Sequence, residues 1–155
     1  MRFACASSTG QAWAGRGMLR DQRISIVIMK SAAERAQYYR WMFFMANTLQ
    51  LAYRAWFYAD EPAGEACADA AKAQARARIE AAWERVADHL QANGPYLLGE
   101  RLSAADFLLT MLMRWSRNMP RPTDSWPVLH DFARTMKARP AFRETYAREG
   151  LSDWT

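Results

Sequence analysis

An all-α bundle of about five helices is the fold class the sequence predicts for residues 31–155. Apolar residues recur there at three- and four-residue spacing, a complete helix-start signal stands at residues 102–107, and Pro, Gly and Asn punctuate the periodic stretches. No strand alternation, internal repeat or low-complexity tract follows residue 30.

Residues 1–30 read as a leader outside any domain. Ser7-Ser8-Thr9-Gly10 and Gly15-Arg16-Gly17 are loop signals, and only Ile24-Ser25-Ile26-Val27-Ile28-Met29 has strand-like branched content. Arg2, Arg16, Arg20, Arg23 and Lys30 face Asp21 alone, so of the chain's +5 the leader carries +4 and the remainder +1. The pI of 9.6 therefore belongs mainly to the leader, which argues against a nucleic-acid-binding stripe on the folded part. No apolar core of about 7 to 15 residues follows a basic start, so the leader is not a secretory signal.

From residue 31 to 58, Tyr38, Trp41, Met42, Met45, Leu49, Ala52, Tyr53 and Trp56 form one helical face. Phe43, Phe44, Leu51 and Phe57 lie off it, which gives this helix a second apolar side. Asp60-Glu61-Pro62-Ala63-Gly64 forms the turn that ends it. An alanine-rich helix over 66–92 follows, with Ile79, Trp83, Val86 and Leu90 on its apolar face. Asn93-Gly94-Pro95 stops it, by a residue in the left-handed conformation and then proline.

The next helix has the clearest start. Ser103 caps it, Asp106 completes a capping box that places negative charge in the first turn, and Leu102 and Phe107 are spaced as a hydrophobic staple. Nearly every residue up to Arg114 is apolar, the pattern of a helix surrounded by protein on all sides. The run is far too short to cross a bilayer. Arg121-Pro122-Thr123-Asp124-Ser125 separates it from a helix running to about residue 138, and Pro140 suits the first turn of a short last helix.

The chemical inventory is thin. Cys5 and Cys67 imply no disulfide framework and a reducing compartment. His89 and His130 stand apart from other metal-ligating residues, so no metal is expected. There is no glycine-rich phosphate loop and no Ser-His-Asp pattern.

Gly99, Ser103, Ala105 and Asp106, in the order Gly-x-x-x-Ser-x-Ala-Asp after Tyr96-Leu97-Leu98, resemble the start of the core helix in the all-helical C-terminal domain of cytosolic glutathione transferases. Glu34-Arg35-Ala36-Gln37-Tyr38-Tyr39-Arg40-Trp41-Met42-Phe43-Phe44 is similar to the opening of that domain's first long helix in bacterial members. Trp126-Pro127-Val128-Leu129 and Ala138-Arg139-Pro140-Ala141-Phe142 resemble the starts of its last helices, and Glu149-Gly150-Leu151 its ending. The resemblance covers about residues 31 to 151.

That resemblance implies conjugation of the glutathione thiolate to small hydrophobic electrophiles, a cytoplasmic detoxification reaction. In the family, glutathione and the activating Ser, Tyr or Cys belong to an N-terminal thioredoxin-like domain with a cis-proline loop. The leader contains no proline, and one strand-helix-strand unit needs about 30 residues or more. No catalytic or glutathione-binding residue is therefore expected in this chain, and activity is expected only beside a thioredoxin-like partner domain.

The family's electrophile cleft, lined by the first long helix and the core helix, makes Met45, Thr48, Met113 and Trp115 the candidates for its wall. The second apolar side of the first helix would meet the other domain or a homodimer partner, which predicts self-association or poor solubility. The alternative expectation is a helical module without catalysis that binds hydrophobic ligands or a protein partner. Neither nucleic acid nor membrane is expected as a partner.

Overall fold

A computed structural model describes residues 31–154 of the protein; the leader, with Cys5 and the strand-like residues 24–29, lies outside them. Helix α1 spans Ala32–Phe44, a π-helical turn spans Met45–Leu49, and α2 spans Gln50–Phe57. Ser31 caps α1 by accepting the Glu34 N–H at 3.2 Å. The backbone stays right-handed through both junctions, so the three pieces form one continuous helix.

The π turn is a feature that simple periodicity misses. Trp41, Met45 and Leu49 are spaced by four, and at 3.6 residues per turn such a row drifts around an α-helix. A turn closed by i→i+5 bonds holds more residues and takes up that drift. All three side chains are consequently buried, as are Ala52 and Tyr53, while Tyr38, Met42 and Trp56 pack at the edge of the core. Tyr39, Phe43, Leu51 and Phe57 stay outside, each at least half exposed.

The 60–64 turn contains one helical turn, α3 (Asp60–Ala63), closed by Gly64 at φ +69°. After a 3₁₀ turn, α4 (Ala68–Asn93) runs back along α2 and buries Ala75, Ile79, Ala82, Trp83, Val86, Ala87 and Leu90. Its small residues let the two helices approach, and Trp83 Nε1 donates to Tyr53 Oη at 3.0 Å across the contact.

The end of α4 differs from expectation. Gly94 has φ −55°, not a left-handed value, and glycine is required because a Cβ would collide with the Leu90 carbonyl oxygen. The left-handed glycine comes later, at Gly99 (φ +77°), where the Tyr96 and Gly99 backbones exchange hydrogen bonds of 2.9 and 3.0 Å.

Helix α5 (Ala104–Trp115) buries Ala105, Asp106, Leu109, Thr110, Leu112 and Met113. It is not surrounded on all sides. Phe107 and Met111 are 37% and 40% exposed on its outer face, because no helix covers that face fully. Helix α6 (Pro127–Lys137) buries Leu129, Phe132, Ala133 and Met136 against α4 and α5. Helix α7 (Pro140–Arg148) begins at its proline and buries Tyr146. Among the described residues there is no strand, only the isolated bridges Tyr96↔Gly99 and Leu98↔Arg101, and no helix is long and apolar enough to cross a membrane.

Candidate functional site

The N-terminal end of α5 is locked before any surface is built on it. Asp106 is fully buried and accepts three hydrogen bonds: Leu97 N–H at 2.9 Å, Ser103 N–H at 2.7 Å and Ser103 Oγ–H at 2.8 Å. The capping box is formed, with Ser103 also receiving the Asp106 N–H. Burial pushes the Asp106 carboxyl above its usual range, against the three donors that pull it down. The bond to Leu97 ties the preceding turn to the helix. Leu102 packs against the core, whereas Phe107 faces a cleft on the outer side, so the two staple positions serve different surroundings.

The other end of α5 carries an aromatic face. The Trp115 ring meets Tyr53 edge-on at 5.7 Å and Phe57 at 6.5 Å, and Tyr53 stacks on Phe57 at 6.0 Å. Tyr53 is the buried floor of this group and Phe57, 50% exposed, its open surface. The turn after Trp115 is pinned by Ser116, whose buried hydroxyl lies 2.7 Å from Met113 O and accepts the Thr123 N–H at 3.0 Å. Burial raises the Tyr53 phenol pKa well above its ordinary value. Tyr53 Oη accepts from Trp83 Nε1 and so orients that indole.

The four candidates for a pocket wall separate in the structure. Met45 and Met113 are 0% exposed inside the core. Their methionine side chains filled the core instead. Thr48 is exposed in a shallow groove between the first helix and α4, beside Phe44, Asn47, Leu51, Arg78 and Arg85, where the Arg85 guanidinium lies 5.3 Å from the Phe44 ring centroid. Trp115 alone of the four belongs to the aromatic face. Sequence reasoning missed Tyr53 and Phe57 as its companions, although their spacing of four on one helix and the position of Phe57 off the buried stripe were the signal.

A second apolar concavity of ≈ 310 Å³ lies between α5, α7 and the C-terminal tail, lined by Phe107, Met111, Arg114, Phe142, Tyr146 and Trp154 among others. Arg114 grips Asp153 with bonds of 2.7 and 2.9 Å, and Arg117 reaches the same carboxylate at 3.0 Å.

His89 is held structurally. Its Nε2 lies 3.0 Å from Leu97 O, Asn93 Nδ2 lies 3.3 Å from its Nδ1, and its ring packs on Trp41 at 4.5 Å. His130 is exposed. Among the described residues no three His, Cys, Asp or Glu side chains are grouped to hold a metal.

The family described as "Glutathione S-transferase, C-terminal domain" matches residues 69–154. The fold is similar to that of BphK, a bacterial GST solved as a ternary complex, at 28% identity and a TM-score of 0.69, covering 81% of this chain and 60% of that one. It is also similar to a glutathione transferase from Methylococcus capsulatus strain Bath, at 26% identity and a TM-score of 0.65, covering 77% of this chain and 56% of that one. The search of curated proteins gave no match. The chain thus spans well under two thirds of the length of either solved relative, and it is a member of the glutathione S-transferase family, matching the family's all-helical C-terminal domain.

Proposed function

We propose that this chain is the helical half of a glutathione transferase and supplies the apolar wall against which an electrophile is held. Residues 31–155 form that half, and a thioredoxin-like domain holds glutathione and lowers the pKa of its thiol, since the thiolate is the nucleophile. The observation that carries the reading is the Tyr53-Phe57-Trp115 face, three rings in mutual contact with Tyr53 buried beneath and Phe57 half exposed. Such a surface binds a flat hydrophobic electrophile and leaves the polar chemistry to the partner domain.

The test is a transferase assay on this chain joined to a thioredoxin-like domain. Phe57→Ala and Trp115→Ala are expected to raise KM for a hydrophobic electrophile roughly tenfold while leaving KM for glutathione unchanged. Equal changes in both constants would break the assignment. Calorimetric titration of this chain alone with glutathione is expected to give no binding at millimolar concentration; binding there would overturn the division of labour. If the joined protein shows no transfer at all, the chain is a binding module.

A second copy of the chain is the partner proposed for the groove at Thr48. Leu51 stands 58% exposed at its centre with Phe44 beside it, an apolar strip flanked by Arg78 and Arg85. Sedimentation should show a dimer or larger species, and Leu51→Glu should return it to a monomer.

A further inference from the structure

We infer that the cleft between α5, α7 and the tail is a second binding site, for a small planar aromatic molecule bearing one carboxylate. Two buried donors without partners point to it. Tyr146 is 9% exposed and its hydroxyl has no hydrogen-bond partner; the Arg114 Nε–H is likewise buried and unpaired. Both residues line the cleft, and the guanidinium sits 5.9 Å from the Tyr146 ring centroid. Buried polar groups are nearly always satisfied, so two orphans bordering one cavity mark the place of an acceptor.

The rest of the lining sets the body of that ligand. Phe107, Met111, Met136, Phe142, Leu151 and Trp154 make the cleft predominantly apolar, and Phe142 stacks on Tyr146 at 4.2 Å with Trp154 edge-on at 6.3 Å. Rings at these spacings accept a flat aromatic at an edge or face. The volume, ≈ 310 Å³, stands at the small end of ligand pockets, which suits a one- or two-ring molecule.

Charge selects the acceptor. Arg114 and Arg117 share the single carboxylate of Asp153, so this trio holds a net positive charge. A monoanion balances that excess and accepts from Tyr146 and Arg114 at once. Trp154 has a positive φ of 59°, a costly conformation for a non-glycine residue, and its indole lines the cleft. The residues lining this site all belong to this chain, and Phe57 is not one of them.

The experiment uses the full chain with 2-naphthoate as the probe and 2-methylnaphthalene as its uncharged counterpart. Calorimetry is expected to show saturable one-to-one binding of 2-naphthoate, with methyl resonances of Met111 and Met136 shifting as it binds. Tyr146→Phe deletes one unpaired oxygen and leaves the packing intact; it is expected to weaken 2-naphthoate at least about tenfold and to leave 2-methylnaphthalene unchanged. Phe142→Leu should weaken both probes. Absence of saturable binding, methyl shifts elsewhere, or equal affinity of Tyr146→Phe and the parent for 2-naphthoate would each overturn the inference. Absence of transfer by the joined protein, or glutathione binding by this chain alone, would bear on the transferase reading and not on this one.

Discussion

The two ends of α5 are each held by an aspartate, and they are held in opposite ways. At the N-terminal end Asp106 is fully buried and receives three donors from the turn before it. At the C-terminal end Asp153, from the tail, grips Arg114 in a half-exposed pair whose side chains are 27% and 42% accessible. The first carboxylate is the knot on which the helix is assembled, because removing it leaves donors that no water can reach. The second ties down a tail that solvent already surrounds. The start of α5 depends on the first, and the shape of the outer cleft depends on the second.

Asp106→Ala is expected to have the largest effect of any change along this helix. It strands the Leu97 and Ser103 N–H groups in the interior, which costs about 3 kcal/mol or more, enough to lower the thermal midpoint by roughly 10 °C in a chain of this size. Thermal unfolding followed by circular dichroism reads it directly. A loss no greater than that for removing an ordinary exposed cap would mean the Leu97 bond contributes nothing, and the contrast between the two ends would fail.

Ser103→Ala comes next, at about 1–2 kcal/mol. The hydroxyl leaves, but Asp106 keeps the Leu97 and Ser103 N–H bonds, so part of the knot survives. Urea denaturation should show a lower midpoint with an unchanged slope.

Much of this was legible in the sequence, and the reasons differ by residue. The capping box is local, since Ser103 and Asp106 are three apart and their geometry follows from helix initiation alone. Ile79, Trp83, Val86 and Leu90 were readable as a buried face for the same reason of spacing. What spacing alone does not decide is which apolar side chains are covered and which are open. Met45 and Met113 share their chemistry with pocket methionines, and only packing decides that they are core. The face bearing Phe107 and Met111 is as apolar as the buried one, so periodicity could not tell an open cleft from a closed contact. Gly94 announces a helix end in either backbone conformation; its requirement comes from the nearby Leu90 carbonyl, a contact along the helix that composition does not reveal.

The two aspartates should also respond to pH with opposite signs. Asp106 has its folded pKa raised above the ordinary 3.8, chiefly by burial; its contribution to stability is full below the unfolded value and is lost as pH rises through the folded one. Asp153 has its folded pKa lowered, chiefly by Arg114; its contribution is present above 3.8 and is lost as pH falls through the folded value. The difference in stability between the parent and Asp106→Asn should therefore move against the mutant's favour on the acid side, while that for Asp153→Asn should vanish there. Parallel pH profiles for both variants would contradict the opposite environments assigned to the two carboxylates.

The smallest expected effect is that of Asp153→Asn at neutral pH. Both guanidiniums it meets are partly exposed, so solvent and salt screen the attraction, and pairs of this kind contribute little to global stability. The global midpoint should scarcely move. The local consequence is different, because Arg114 and Asp153 are 39 residues apart in sequence and their bond fixes where the tail lies over the cleft. Amide exchange at residues 151–153 should quicken several-fold, as expected for a segment that opens without global unfolding, with exchange inside α5 unaltered. If the global midpoint instead fell as far as for Ser103→Ala, the tail tie would be part of the structural core, and α5 would be anchored with comparable strength at both ends.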